Sequence, residues 1–108
     1  MPKPTQLLYH GTSFSKSTFI EEQGLLPKNY DKVYLTADIR VAYNYAKSRN
    51  SQPVICIVDA PQMVKDGFTF DHNNTYAEWT TDSVPEKYLI QILIEDESDL
   101  EAVALCVS

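Results

Sequence analysis

Short apolar runs separated by polar turns dominate the chain. QLLYH at 6–10 and KVYLT at 32–36 each predict a strand. PVICIVDA at 53–60 is almost continuously apolar, which is typical of a central strand that is buried on both faces. A last long apolar stretch, KYLIQILI, spans 87–94.

Two helices are predicted between these runs. TFIEEQG at 18–24 carries the Thr18-x-x-Glu21 spacing of a capping box and closes on a glycine, as short helices often do. Asp38 can cap a second helix that runs through IRVAYNYAKSR at 39–49. One face of this second helix carries four residues: Val41, Ala42, Tyr45 and Ala46.

The C-terminal half has weaker signals. GFTF at 67–70 and AEWTT at 77–81 predict two more strands, separated by a turn-rich loop, DHNNT at 71–75. The acidic segment 95–101 is followed by AVALCV at 102–107, whose pattern fits a strand or a helix. Because strands outnumber helices, we expect an α+β fold with a mixed or antiparallel sheet split into two packed halves.

Composition fits one compact domain over residues 1–108, since 44% apolar residues suffice for a single modest core. The formal charge of −6 comes largely from five acids in the segment 95–101, which leaves ten acids against nine bases elsewhere. A chain without a basic stripe is a poor candidate for gripping duplex phosphates, although a local pocket could hold one pyrophosphate.

Cys56 and Cys106 form no CxxC pair, and no histidine is spaced to share a metal with them. We therefore expect no metal site and two reduced thiols, with a disulfide between them left open. The N-terminal MPKPTQ has no hydrophobic signal region, and every apolar run is too short to span a membrane. We expect a cytoplasmic chain.

Three polar residues are the main candidates for chemistry: His10 at the end of the first predicted strand, Tyr34 inside the second and Glu78 at the start of EWTT. Each has an ordinary structural explanation when it is taken alone. Their order and context nevertheless resemble the ADP-ribosyltransferase superfamily, which carries a His-Tyr-Glu set on successive core strands. The matching stretches here are YHGT, VYLTAD and AEW.

Within that superfamily, residues 6–90 are most similar to the C-terminal, NAD-binding half of RNA 2′-phosphotransferases, through PVICIVDAPQMVKDGFTF and WTTDSVPEKYL. Because His10 comes so early in the sequence, we expect no counterpart of their N-terminal lobe. Where that branch commonly has a second histidine and an apolar residue, this chain has Tyr34 and Glu78. Arg49 matches a phosphate-binding arginine of the branch, and it equally fits a solvated cation at a helix C-terminus.

The resemblance implies NAD as co-substrate and a catalytic set of Glu78, His10 and Tyr34. Glu78 would stabilise the positive charge that develops on the ribose as nicotinamide leaves. His10 would hydrogen-bond the ribose on the adenosine side. The ring of Tyr34 would stack against nicotinamide, with Tyr45 on the other side of that ring.

Further contacts follow from the same resemblance. The backbone of Gly11 would meet the nicotinamide carboxamide, and a side chain there would obstruct the approach. Thr12 would add a hydroxyl contact to the adenosine ribose. Four residues before the glutamate would contact the acceptor, although His72 among them also fits an ordinary loop residue: His72, Asn73, Asn74 and Tyr76.

The leading hypothesis is a NAD-dependent mono-ADP-ribosyltransferase that acts on a protein or nucleic-acid acceptor. An RNA 2′-phosphotransferase-like enzyme and a non-catalytic binder of NAD or ADP-ribose are the alternatives. The leading hypothesis requires the imidazole of His10 and the carboxylate of Glu78 to lie on the same side of the sheet, around one dinucleotide. The oligomeric state does not follow from the sequence.

Overall fold

A single antiparallel sheet organises the chain in the computed structural model, which describes residues 3–27, 32–47 and 52–107, with side chains as far as residue 105. Its six strands in chain order are β1 (Leu8–Ser13), β2 (Val33–Thr36), β3 (Pro53–Val58), β4 (Asp71–Asn73), β5 (Glu78–Thr81) and β6 (Leu89–Leu93). Across the sheet the order is β4-β5-β2-β1-β3-β6, with every neighbouring pair antiparallel. The predicted α+β class is confirmed.

In the described ranges, four helices and two short 3-10 turns accompany the strands. The helices are α1 (Ser17–Gln23), α2 (Ile39–Lys47), α3 (Ala60–Lys65) and α4 (Glu97–Val107), and the turns span Phe14–Lys16 and Glu86–Tyr88. The choice between strand and helix for 102–107 is thereby decided, because this segment lies in α4.

The sheet has an apolar cluster on each face, because successive side chains of a strand point to opposite sides. Leu8 packs with Ile20 of α1 and Met63 of α3, and this side is called the α1 face. Tyr9, the next residue, packs in a second cluster with Leu100 of α4 and with residues of α2, and this side is called the α2 face. Side-chain parity along each strand therefore tells which face a candidate residue serves.

The central position of β3 is confirmed, since it pairs with β1 and β6 and its residues from Val54 to Val58 are all buried. The predicted apolar face of α2 is only half right. Ala42 and Ala46 are buried as expected, together with Ile39. Val41 and Tyr45 are 52% and 57% exposed, because the helix turns its small residues toward the sheet.

The helix ends follow local chemistry in two of three places. Asp38 caps α2 as predicted, since its Oδ1 accepts a hydrogen bond from the Arg40 backbone N–H at 2.9 Å. The glycine after α1, Gly24, ends that helix with a φ of 75°. The capping box is wrong, because α1 already begins at Ser17 and therefore places Thr18 inside the helix.

The predicted strand 67–70 is also wrong. The strand is Asp71–Asn73, inside the predicted loop, and the preceding phenylalanines serve the core instead. Phe70 is buried on the α1 face, and the ring of Phe68 meets that of Tyr88 edge-on at 5.4 Å. Burial of two aromatic side chains outweighs the strand propensity of this short stretch.

The acidic segment 95–101 is part of the start of α4. Asp96 accepts backbone hydrogen bonds from Ser98 and Asp99 at 2.8 and 3.2 Å, and its hydrogen bonds with Ser98 are the main cause of its lowered pKa. Negative charge at a helix N-terminus is favourable. Glu101 pairs with Arg40, which ties α4 to α2 across the surface.

Cys56 lies in the core as a free thiol, and its burial raises its pKa to about 12. The side chain of Cys106 lies outside the described part of the chain, so the predicted state of that thiol stays a prediction. Among the described residues, no helix has both the length and the apolar character needed to cross a bilayer.

Candidate functional site: a fork between two central strands

The sheet opens between β1 and β2. Within the described residues these strands share a single register pair, Tyr9 with Thr36, whereas β1 and β3 pair over six positions. If the same register continued two residues further along each strand, Gly11 would pair with Tyr34. These two residues form no such pair. We call the opening beyond Tyr9, between His10–Ser13 and Val33–Tyr34, the fork.

The His10 side chain bridges the fork. Its Nδ1 lies 2.9 Å from the carbonyl oxygen of Tyr34. A carbonyl only accepts, so Nδ1 carries the proton in this contact, and the neutral ring then has its lone pair on Nε2. The sequence expectation placed His10 at a strand end. In fact β1 continues to Ser13, and the imidazole sits where β1 and β2 part.

Gly11 is required by helix packing. A Cβ atom at this position would lie 2.0 Å from the Ala42 carbonyl oxygen and 3.1 Å from the Ala46 Cβ. The glycine is thus explained by the close packing of α2, while the expected approach of the nicotinamide carboxamide stays a prediction. Any ligand must meet Gly11 from another direction.

The backbone of Gly11 provides that direction. Phe14 N–H donates to the Gln52 carbonyl at 2.8 Å, in register with the β1–β3 ladder. In an antiparallel ladder, alternate residues bond to the same neighbour, so the polar groups of His10 and Thr12 point to β3. Those of Gly11 point the other way, into the fork.

Tyr34 and Glu78 share the α2 face. Thr36 stands opposite Glu78 in the register, and Tyr34 stands opposite Thr80, so Tyr34 and Glu78 are diagonal neighbours. Such neighbours have Cβ atoms about 7–8 Å apart or slightly less. Tyr34 is 40% exposed and Glu78 is half-buried. A ligand ring bound on this face, between strands β2 and β5, would contact the side chains of both Tyr34 and Glu78.

The expected placement of His10 and Glu78 on one face of the sheet is wrong, so a single ligand would reach both side chains only by passing through the fork. Tyr9, Thr36 and Glu78 face one another across three strands and so share the α2 face. His10 follows Tyr9, and its side chain therefore leaves β1 toward the α1 face. The imidazole instead reaches the Tyr34 carbonyl. Strand register, which the sequence does not reveal, decides this arrangement.

The remaining NAD candidates differ in accessibility. Thr12 is only 6% exposed, so its hydroxyl lies within the core rather than on an open surface. Tyr45 is 57% exposed on α2. Arg49 lies outside the described residues. The fork thus offers an imidazole, backbone groups and an aromatic ring, and the only predicted cation for a pyrophosphate or an RNA phosphate is Arg49.

The predicted acceptor loop is a β-hairpin. His72 and Asn73 belong to β4, while Asn74 and Tyr76 form its turn. The His72 ring lies 4.4 Å from that of Trp79, directly across the hairpin. The alternation of side chains on the two sides of the predicted loop is the sequence signal that could have predicted the pairing of His72 with Trp79. Tyr76 is 74% exposed at the turn.

Other features of the described residues do not add to the site. A cavity of about 350 Å³ lies beside the start of α2, against Tyr9, Asp38 and Ala104, and none of the predicted site residues lines it. No group of three or more histidine, cysteine, aspartate or glutamate side chains in the described ranges is placed to hold a metal ion. The fork is therefore the candidate site.

Comparison with known proteins decides the family. The model of the RNA 2′-phosphotransferase, Tpt1/KptA family, matches residues 1–77. This chain belongs to that family. Probable RNA 2′-phosphotransferases of Acetivibrio thermocellus, Streptomyces coelicolor and Burkholderia lata are 36%, 37% and 39% identical to this RNA 2′-phosphotransferase family member over 86, 86 and 87 residues. These alignments cover 80%, 80% and 81% of this chain and 47%, 46% and 44% of the relatives.

This family member thus spans about half the length of the curated relatives that it matches. The leading expectation, mono-ADP-ribosyl transfer, is wrong, because the family and the relatives favour the phosphotransferase alternative. That expectation depended on the residue types at Tyr34 and Glu78. The similarity of the surrounding chain to RNA 2′-phosphotransferases is the better guide to the family.

Proposed function

We propose that this protein is an NAD-dependent RNA 2′-phosphotransferase, which binds NAD through its matched residues and removes a 2′-phosphate from RNA. The family match over residues 1–77 is the observation that carries the proposal. The relatives are about twice as long as the matched region, so their activity is carried over here as an inference.

NAD would enter through the fork. The Nδ1 contact of His10 with the Tyr34 carbonyl supports this role, because it holds the imidazole at the opening between β1 and β2, where a ribose hydroxyl would meet it. The backbone N–H and C=O of Gly11, which point into the fork, are suited to hydrogen-bond the carboxamide of nicotinamide. Thr12, buried beside them, would shape the wall rather than contact an open ribose.

The nicotinamide ring would lie against the exposed ring of Tyr34, with Tyr45 as the second stacking partner. NAD would supply an electrophilic ribose carbon: an oxygen of the RNA 2′-phosphate would bond to it as nicotinamide leaves, and the neighbouring ribose hydroxyl would then attack the phosphorus, so that the RNA leaves with a free 2′-hydroxyl and the phosphate stays on ADP-ribose. Glu78 shares a face with Tyr34, and its carboxylate would stabilise the positive charge on that ribose as the bond breaks.

Arg49 would hold the RNA 2′-phosphate. A guanidinium binds phosphate bidentately and stays charged at every physiological pH. Arg40 of α2 is the control cation, because it is exposed and pairs with Glu101. Replacing an exposed ion-pair partner costs little stability.

The test uses an RNA oligonucleotide with one internal 2′-phosphate, incubated with the protein and NAD. We expect loss of the RNA phosphate, measured by mass spectrometry, together with nicotinamide release that requires the phosphorylated RNA. RNA without the 2′-phosphate and reactions without NAD serve as controls. Arg49→Ala should abolish the reaction, whereas Arg40→Ala should retain it.

Two results would reject the proposal. NAD binding in calorimetry without any phosphate loss would favour the non-catalytic binder. Phosphate loss that proceeds equally without NAD would exclude the NAD-dependent reaction.

A further inference from the structure

The outer edge of the sheet carries an unprotected strand. β6 has the sequence LIQIL and forms one end of the strand order. Ile90 and Leu93 are 66% and 36% exposed. Edge strands of natural proteins usually carry charges, prolines or bulges that prevent pairing with another chain. β6 contains neither charge nor proline, and among the described residues only β3 pairs with it, so its outer edge can accept another strand.

The backbone of β6 is poised for such pairing. Ile94 N–H donates to the Pro53 carbonyl at 2.9 Å, and Asp59 N–H donates to the Tyr88 carbonyl at 2.8 Å. These contacts fix which residues of β6 bond to β3, namely the even-numbered ones. The N–H and C=O groups of three residues therefore point outward: Leu89, Gln91 and Leu93.

The sequence LIQIL reads the same in both directions. We propose that β6 pairs antiparallel with β6 of a second copy of this chain, about a two-fold axis through Gln91. This register sets Leu89 opposite Leu93 of the second copy, and Gln91 opposite Gln91. All three outward-facing residues on each copy then find hydrogen-bonding partners, and the interface is isologous.

The same register covers the exposed apolar side chains. Ile90 lies opposite Ile57 of β3 and so belongs to the α2 face, where Ile92 of the second copy would cover it. Leu93 meets Leu89 of the second copy on the α1 face. A two-fold axis repeats each contact, so both copies bury their apolar edge.

Gln91 provides an independent observation. Its Nε2 donates to the Ser17 carbonyl at 3.0 Å, while its Oε1 is buried and has no partner among the described residues. A buried acceptor without a donor is destabilising. The two-fold axis brings the amide of the second Gln91 alongside: an amide that turns toward it gives up the Ser17 contact, and in exchange its Nε2 donates and its Oε1 accepts across the axis.

Charges flanking β6 are balanced in this register. Continued beyond the strand ends, it brings Lys87 toward Glu95 of the second copy, which is attractive, and Glu86 toward Asp96, which is repulsive. The association should therefore depend on backbone and apolar contacts and respond weakly to salt.

The pairing is separate from the proposed RNA reaction. β3 and β1 lie between β6 and the fork. A dimer can therefore form whether or not the protein turns over NAD, and the two proposals fail independently.

Sedimentation velocity over a wide range of protein concentrations tests the association. We expect a monomer–dimer equilibrium for the natural chain. Ile90→Lys, which places a charge on the edge and removes two cross-strand isoleucine pairs, should raise the dimer dissociation constant by at least about tenfold. Val41→Lys is the control, since Val41 is 52% exposed on α2, and should leave the constant unchanged. Circular dichroism checks that both variants fold.

Cross-linking tests the register. In a Cys106→Ser background, Gln91→Cys should form an intermolecular disulfide under oxidation, because opposed residues of a hydrogen-bonded pair have Cα atoms about 5.5 Å apart. Leu93→Cys is exposed but lies about four residues out of step with its own copy, and should not cross-link. A chain that stays monomeric at every concentration, or equal cross-linking of both variants, would overturn the proposal.

Discussion

The space beside Gly11 is occupied by the carbonyl oxygen of Ala42, which would lie 2.0 Å from a Cβ atom at Gly11. Helix α2 therefore sits against β1 at one point that tolerates no side chain. The same helix carries Tyr45, so the contact also sets where that ring stands relative to the fork.

Gly11→Ala should reduce the free energy of unfolding by about 1–3 kcal/mol, because the added methyl group must displace backbone rather than a flexible side chain. Urea denaturation measures the change. Gly67→Ala is the comparison, since Gly67 has open space around it and only its φ of 100° resists substitution. A smaller loss at Gly11 than at Gly67 would contradict the packing explanation.

Glu78→Gln should slow nicotinamide release by roughly a hundredfold or more, because it removes a charge that stabilises the transition state. NAD affinity, measured by calorimetry, should change little. Glu86→Gln, in the exposed 3-10 turn, is the control and should retain full activity. Unchanged turnover in Glu78→Gln would remove the carboxylate from the mechanism.

Tyr88 and Asp66 make stability depend on pH. The Tyr88 hydroxyl donates to Asp66 Oδ2 at 2.6 Å, and this bond is the main cause of the lowered pKa of Asp66 and the raised pKa of Tyr88. A carboxyl whose pKa is lower in the folded state stabilises the fold above its ordinary pKa. That contribution disappears as pH falls through the folded value.

Tyr88→Phe should therefore lower the urea midpoint near neutral pH, and its difference from the natural chain should shrink in acid. Tyr76→Phe, at the exposed hairpin turn, should show no such pH dependence. A deficit in Tyr88→Phe that stays constant down to strongly acidic pH would show that ring packing, not the carboxylate contact, is responsible.

Cys56 should resist alkylation in the folded protein, because it is buried and because its pKa of about 12 keeps the thiol protonated near neutral pH. In a Cys106→Ser background, iodoacetamide should modify Cys56 only in denaturing urea, as followed by mass spectrometry. Rapid modification without denaturant would mean that the core opens far more often than its packing implies.

The sequence predicts best where one residue type has one physical use. The run at 53–60 predicts a buried strand, which spans Pro53–Val58, and Asp38 before an amphipathic segment predicts a helix cap; both predictions are confirmed. The segment 67–70 failed because its phenylalanines are claimed by the core, a tertiary effect that local pattern does not contain.

Register explains the main error in the predicted geometry of the site. Alternation along a strand shows that His10 and Gly11 face opposite ways, but it does not show which residue of the next strand stands opposite. The single pair of Tyr9 with Thr36 settles that question, and it separates the imidazole of His10 from Glu78. The pattern of apolar residues within β1 or within β2 does not show which residues of the two strands stand opposite each other.

The seam at Tyr9 and Thr36 divides the sheet into two three-stranded ladders, β4-β5-β2 and β1-β3-β6. Separating them breaks one register pair and leaves both ladders whole. In amide hydrogen exchange, the β4-β5-β2 ladder should therefore lose protection as a unit through a partial opening of the sheet. The amides of β3 should exchange only with global unfolding. A dinucleotide in the fork would link both ladders, and slower exchange in β2 would record its arrival.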